Sequence, residues 1–405
     1  MQHDVQTSSR RRWLLAVLAA LVLAALLAAP REARCACRET APGDAAEKVR
    51  WVRAGAPEDT ASLDRWCAAV GGPLLIAPEA SPAPVADGLA VVVWNVHVGS
   101  AALERLVAEL RAGELSAGRP VEHFVLLLQE AVRVGSSIPA AVPPGALCAR
   151  AIAAPVAPSR SIEALAARAG LFGFYAPSMR NGAEHREDRG NAILSTLALS
   201  DPVAIELPYE GQRRVAVSAS VSIPLRDGKL APLRLVSAHL DNASRGVRFW
   251  RSFGAGRARQ ARGLLQALEG EAAVVLGGDF NTWFGGASEK AIVLLRDRFP
   301  SPARLPAAVT YSPPWGLPER QVDYLLLRLP AGWQAHYRVA SDRRESDHAP
   351  LVGWLSPPPR DVSATGRDAG MRLRSPAREA QRIHPEVPAP RRQRGDLQHV
   401  HHSMP

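Results

Sequence analysis

Four times between residues 89 and 281, a short and largely apolar run ends on a carboxylate, a carboxamide or an imidazole. Residues 89–94 lead into Asn95-Val96-His97, and residues 124–128 into Gln129-Glu130. Residues 233–238 lead into His239, and residues 272–276 into Gly277-Gly278-Asp279-Phe280-Asn281. A fifth run, residues 322–327, carries Asp323 within it. Apolar runs of this length, flanked by polar breaks, suit strands buried on both faces. Helical stretches are expected between them, at 101–112, 160–169, 257–269 and 289–298. Core strands that repeatedly finish on polar residues describe a site assembled along one edge of a sheet. Asp279 and Asn281 lie two apart, so an extended chain turns both to the same side.

The remainder of the chain divides around this body. With 405 residues, 47% of them apolar, the sequence can bury a large core and still carry tails. Arg10-Arg11-Arg12 precedes an uncharged apolar run over residues 13–29, closed by Pro30. As a helix that run would span roughly 26 Å at ~1.5 Å per residue, just under a ~30 Å hydrocarbon core. Residues 1–30 therefore read as a signal-anchor or a cleaved export signal, with the arginines inside and the body beyond the inner membrane. Residues 31–87 read as an Ala/Pro-rich, partly ordered linker with one helix near 60–70, and residues 88–355 as the main folded domain. Residues 356–405 begin with three prolines and carry Arg, Pro and His with little to bury, so they are expected to be disordered.

The formal net charge of +10 favours anionic partners and says nothing about fold. Arg245, Arg248, Arg251, Arg257, Arg259 and Arg262, interleaved with Phe249, Trp250 and Phe253, read either as a polyanion-binding patch or as a solvated basic helix face. The cysteines are Cys35, Cys37, Cys67 and Cys148. An oxidising compartment permits a disulfide of Cys67 with Cys35 or Cys37; idle thiols are the alternative.

The strand-end residues share a chemistry. A hard cation such as Mg²⁺ takes oxygen ligands, for which Glu130 and the amide oxygen of Asn95 are candidates. His348, in Ser346-Asp347-His348, could accept a proton from water if Asp323 fixed its tautomer. Asn281 and His239 would hold phosphoryl oxygens. Taken singly, each residue has an ordinary explanation: an Asn after a strand is a turn former, and a buried His is a satisfied core group. Their joint occurrence is what points to hydrolysis of a phosphate ester.

Six separated segments, in order, resemble the endonuclease/exonuclease/phosphatase superfamily over about residues 88–355. They are Trp94-Asn95-Val96-His97, Leu128-Gln129-Glu130, Gly190-Asn191-Ala192-Ile193-Leu194-Ser195, Ser237-Ala238-His239-Leu240, Gly278-Asp279-Phe280-Asn281 and Ser346-Asp347-His348. The resemblance implies an α/β (α+β) fold: a four-layer α-β-β-α sandwich of two packed mixed sheets flanked by helices, with the site at one end. It also implies Glu130, Asn95 and Asp347 as the metal set for Mg²⁺ or Mn²⁺, and His239, Asp279, Asn281, Asp323 and His348 as catalytic. Asn191, Arg189, Asn281 and His97 fall where substrate contacts are expected; for His97 a structural hydrogen bond is the alternative. His239 matches the secreted-deoxyribonuclease-like and sphingomyelinase-like branches. The expectation is a metal-dependent phosphodiesterase acting on nucleic acid outside the inner membrane, with His348 activating the water. A sphingomyelinase-like or phosphoinositide-type phospholipid hydrolase, and an inactive binding module on the same fold, are the alternatives.

Overall fold

The computed structural model describes residues 49–78, 88–146, 155–225, 228–242, 254–283, 285–300, 309–313 and 318–358. The apolar segment 13–29, the tail beyond 358 and the basic stretch 243–253 lie outside these, as do Cys35, Cys37 and Cys148. None of the described helices is long and apolar enough to cross a membrane.

In chain order the elements are β1 (Arg50–Arg53), α1 (Thr60–Cys67), β2 (Leu74–Ile76), β3 (Leu89–Asn95), α2 (Leu103–Ala112) and β4 (Phe124–Val134). Then come α3 (Ile162–Ala169), β5 (Phe172–Arg180), β6 (Glu187–Ser195), β7 (Ser200–Glu206), β8 (Val215–Pro224) and β9 (Leu230–His239). The last are α4 (Ala255–Ala267), β10 (Val274–Asp279), α5 (Lys290–Arg298), β11 (Asp323–Arg328), β12 (Gln334–Val339) and β13 (Leu351–Ser356). The strands form a six-stranded sheet, β1-β7-β8-β9-β10-β11, and a seven-stranded sheet, β12-β13-β3-β4-β6-β5-β2. Both are mixed: β3–β4 and β9–β10 run parallel through helical crossovers, and most other pairs are antiparallel.

The four-layer sandwich follows from period-2 alternation within the apolar runs. On β3, Val91 and Val93 face the other sheet, where they meet Val217, Leu235, Val275 and Leu325. Ala90, Val92 and Trp94 face the opposite way, onto Leu106 and Leu110 of α2 and Ile162 of α3. The six-stranded sheet mirrors this, with Val236, Leu276 and Leu326 against Leu264 of α4 and Ile292 and Leu295 of α5. Helix α2 carries buried Leu103, Leu106, Val107 and Leu110 on one stripe. It stops at Gly113, whose φ of 83° takes the left-handed conformation that releases the chain.

Residues 50–76 do more than link. β1 adds a parallel edge to β7 of one sheet and β2 an antiparallel edge to β5 of the other, with α1 between them. Buried ion pairs hold this segment: Arg53 and Arg213 both bond Glu206, at 2.9 and 2.8 Å. Asp188 accepts from Arg133, from Tyr175 Oη (2.8 Å) and from Gly71 N (2.9 Å). Cys67 of α1 is disulfide-bonded, and its partner lies outside the described residues.

The polar stretch 180–191 contributes more to the strands than to the connection between them. β5 runs to Arg180 and β6 starts at Glu187: Arg180 bonds His185 O, Asp188 bonds Arg133, and both continue the ladder together with Arg189.

Candidate active site

Neighbouring strand ends build the site in register. His239 of β9, Asp279 of β10 and Asp323 of β11 are direct partners across three adjacent strands. In the facing sheet Asn95 of β3 pairs with Gln129 of β4. The two rows meet over Gly277, which leaves room for side chains of the facing sheet, while Gly278 keeps β10 close to β9 in its own sheet. A Cβ on Gly277 would lie 2.3 Å from Val93 Cγ2 across the sheets, and one on Gly278 would lie 1.8 Å from Ala238 O. Gly277 is therefore a packing requirement between the sheets, and Gly278 one within its own sheet, immediately before Asp279.

Asp279 is the centre of the cluster. Its Oδ2 accepts from Asn95 Nδ2 (3.1 Å) and lies 3.5 Å from His239 Nε2 and 3.8 Å from His348 Nε2. Its Oδ1 accepts from Asn281 N at 2.9 Å. His348 Nδ1 hydrogen-bonds Asp323 Oδ2 at 2.8 Å, and Asp323 is fully buried. Trp94 Nε1 donates to His348 O, and Ser346 Oγ receives His348 N while donating to Asn95 O, so the histidine is held on both sides.

The electrostatics divide these groups. Burial opposes a charge on His348, but Asp323, Asp279 and Asp347 outweigh it and push the imidazole up to about 10. Burial, reinforced by the nearby charge of Arg214, holds His239 well below its ordinary value, so it is neutral. Burial raises the Asp279 carboxyl above the carboxylate range against the opposing charge of His348.

At the half-exposed rim His97 Nδ1 meets Asp347 Oδ1 at 2.7 Å. That bond raises the His97 imidazole. Burial works to raise Asp347, but the bond to His97 and the nearby imidazoles lower it. His97 and Val98 both adopt positive φ, 44° and 55°, a conformation a β-branched valine takes only where surroundings impose it. Glu130 stands on a β-bulge, where β4 gains a residue against β6 between Leu128 and Ala131, and its φ is 55°. The bulge re-aims the Glu130 side chain, which lies 3.7 Å from Arg189 Nη1.

The sequence-derived residues thus separate into two groups. Asn95, His239, Asp279, Asn281, Asp323 and His348 form one buried cluster. Glu130, Arg189, His97 and Asp347 lie around it in pairs. Asn191 also has a structural bond: its Nδ2 donates to Val215 O at 2.7 Å, tying β6 to β8 across the sheets. Arg257 bonds Glu289, and Arg259 bonds Glu210, so these two members of the basic series are ion-paired and not a free patch.

Among the described residues Asp279, Asp323 and His348 offer ligand atoms within 4.8 Å of one another. The protonated histidine and its short bond to Asp323 make that group a hydrogen-bonded pair rather than a cation cage. Glu130, Asn95 and Asp347 offer oxygens instead, which suits a hard ion better.

Two features escaped sequence reasoning. Arg214, before β8, is buried with no partner for its Nε among the described residues, and burial lowers its ionisation against Asp241, Glu130 and Asp279. Its signal was the Arg213-Arg214 pair abutting an apolar run, a polar strand terminus read from the other end. Tyr311 places its ring 4.7 Å from that of His348, and nothing in its local sequence marks it.

The chain belongs to the Endonuclease/Exonuclease/phosphatase family, whose model matches residues 92–348. Members of this family hydrolyse phosphoester bonds. No curated protein matches the chain by sequence. Among solved structures it is similar to an endonuclease/exonuclease/phosphatase from Beutenbergia cavernae (20% identity, 67% of this chain and 72% of that one, TM-score 0.46). It is also similar to SmcL (16%, 66% and 99%, TM-score 0.42) and to the Neisseria 3' phosphatase NExo (17%, 65% and 98%, TM-score 0.39).

Proposed function

We propose that this protein is a Mg²⁺- or Mn²⁺-dependent phosphodiesterase that cleaves nucleic acid outside the inner membrane. One observation carries the reading: Asp279 Oδ2 lies within 3.1 to 3.8 Å of an amide and two imidazoles delivered by three separate segments. A carboxylate so surrounded can orient a water and take its proton, next to a cation that faces the phosphoryl charge. Asp279 is the proton acceptor, and His348, kept charged by Asp323, stabilises the oxygens of the attacked phosphorus. The expectation that His348 takes the proton gives way, because an imidazolium has no free lone pair. His239 and Asn281 hold further phosphoryl oxygens.

Glu130, with Asn95 and Asp347, would hold the divalent ion. Among the described residues its carboxylate is met by the long approach of Arg189, which leaves lone pairs for a cation. Bound there, the ion would neutralise charge on the phosphoryl group. Arg189 and Arg214 beside the cluster suit a polyanion. The apolar run after Arg12 and the disulfide at Cys67 support an exported protein, membrane-anchored or secreted.

The test incubates the protein with plasmid DNA, RNA and sphingomyelin, with Mg²⁺ or with EDTA. Plasmid should be nicked only with the ion, and Asp279→Asn should abolish cleavage. Cleavage that survives EDTA, or release of phosphocholine from protein that leaves DNA intact, refutes the proposal.

A further inference from the structure

We propose that Trp283 is a positioning residue that sets which way the Asn281 carboxamide faces. The inference rests on the reading of Asn281 as a holder of phosphoryl oxygens. A carboxamide has a donor end and an acceptor end of nearly the same shape, so its orientation is decided by its partners. Asn281 Nδ2 donates to Leu240 O at 3.0 Å, and Asn281 Oδ1 accepts from Trp283 Nε1 at 3.0 Å. A carbonyl can only accept and an indole N–H can only donate, so the two partners agree on one orientation. The second Nδ2 hydrogen is left for a ligand.

The backbone makes this possible. Asn281 has a φ of 51°, and Trp283 N donates to Asn281 O at 2.9 Å, which folds the chain back so that the indole reaches the carboxamide two residues earlier. The indole is held in turn. Its ring meets Tyr311 edge-on at 5.0 Å, and the Tyr311 ring contacts His348. Trp283 therefore links the amide that holds the phosphate to the wall beside the imidazolium, without itself reaching the reacting atoms.

The experiment compares wild type, Trp283→Phe, Asn281→Ala and the double variant on bis(4-nitrophenyl) phosphate with Mg²⁺. A second readout is the ¹⁵N-labelled indole resonance of Trp283 in metal-free protein. Trp283→Phe keeps a ring against Tyr311 and removes only the donor. Loss of one hydrogen bond should lower kcat about five- to tenfold with KM within about twofold. In the Asn281→Ala background the same change should have no further effect, and Asn281→Ala should move the Trp283 indole resonance toward that of a solvated indole. Effects that multiply in the double variant, or a Trp283→Phe enzyme with wild-type kcat, overturn the proposal. Wild type inactive on every phosphoester would instead defeat the catalytic reading. The indole resonance would then still decide the contact, and a signal indifferent to Asn281→Ala refutes it.

Discussion

Asp323→Asn is the most informative single substitution. Asp323 is fully buried and its Oδ2 bonds His348 Nδ1 at 2.8 Å. Burial alone would drive the imidazole toward neutrality; Asp323 is the leading cause that drives it the other way, to about 10. Relative to an ordinary imidazole, that corresponds to roughly 5 kcal/mol in favour of the imidazolium, at ~1.36 kcal/mol per tenfold. Asparagine keeps the shape and removes the charge. Desolvation then dominates, and His348 should titrate several pH units lower. The stability consequence has a defined sign. A raised imidazole stabilises the fold fully below its unfolded value of 6.5, and this contribution is lost as pH rises through about 10. The stability gap between wild type and variant should therefore be widest below pH 6.5 and narrow toward pH 10. The assay is an NMR titration of the His348 ring in metal-free protein, with urea unfolding at pH 6, 8 and 10. The alkaline limb of the pH–rate profile should also move to lower pH in the variant. A His348 ring that still titrates near its wild-type position would refute the assignment of Asp323 as the source of the charge.

Two further outcomes are expected. Glu130→Gln keeps the bulged backbone and removes one ionised ligand, so the rise in melting temperature produced by Mg²⁺ in the wild type should largely vanish, as read by differential scanning fluorimetry. Asp188→Ala leaves Arg133 buried without its partner and strips an acceptor from Tyr175 and Gly71. Loss of one member of a buried pair costs about 3–5 kcal/mol, so the variant should melt at least several degrees lower, and a shift under about 2 °C would contradict this account.

The strands legible in the sequence were those with continuous apolar runs: β3, β4, β9, β10 and β11. β5, β7, β8 and the edge strands mix polar residues into the ladder, and several of these side chains are met by partners far along the chain. Asp188 illustrates this: in sequence it sits in a charged stretch that reads as loop, yet its four donors come from β4, β5 and the segment after α1. Asn191 was legible as a motif residue but not as the cross-sheet tie to Val215. The Arg213-Arg214 pair marked a strand terminus, but nothing local distinguishes Arg214 from Arg213, which turns to Glu206 instead.

The sequence by itself determined the chemistry, since which strand ends carry a carboxylate, a carboxamide or an imidazole is written in the alternation and stops of the apolar runs. The tertiary structure decided how those groups act on one another. Asn95 and Asp279 are 184 residues apart, and the Asn95 amide donates to the Asp279 carboxylate because two sheets close over Gly277. The charge on His348 comes from Asp323 and Asp279, which only the fold brings to it, together with its chain neighbour Asp347. Ionisation and orientation depend on distance and burial, and neither is a property of a residue's place in the chain.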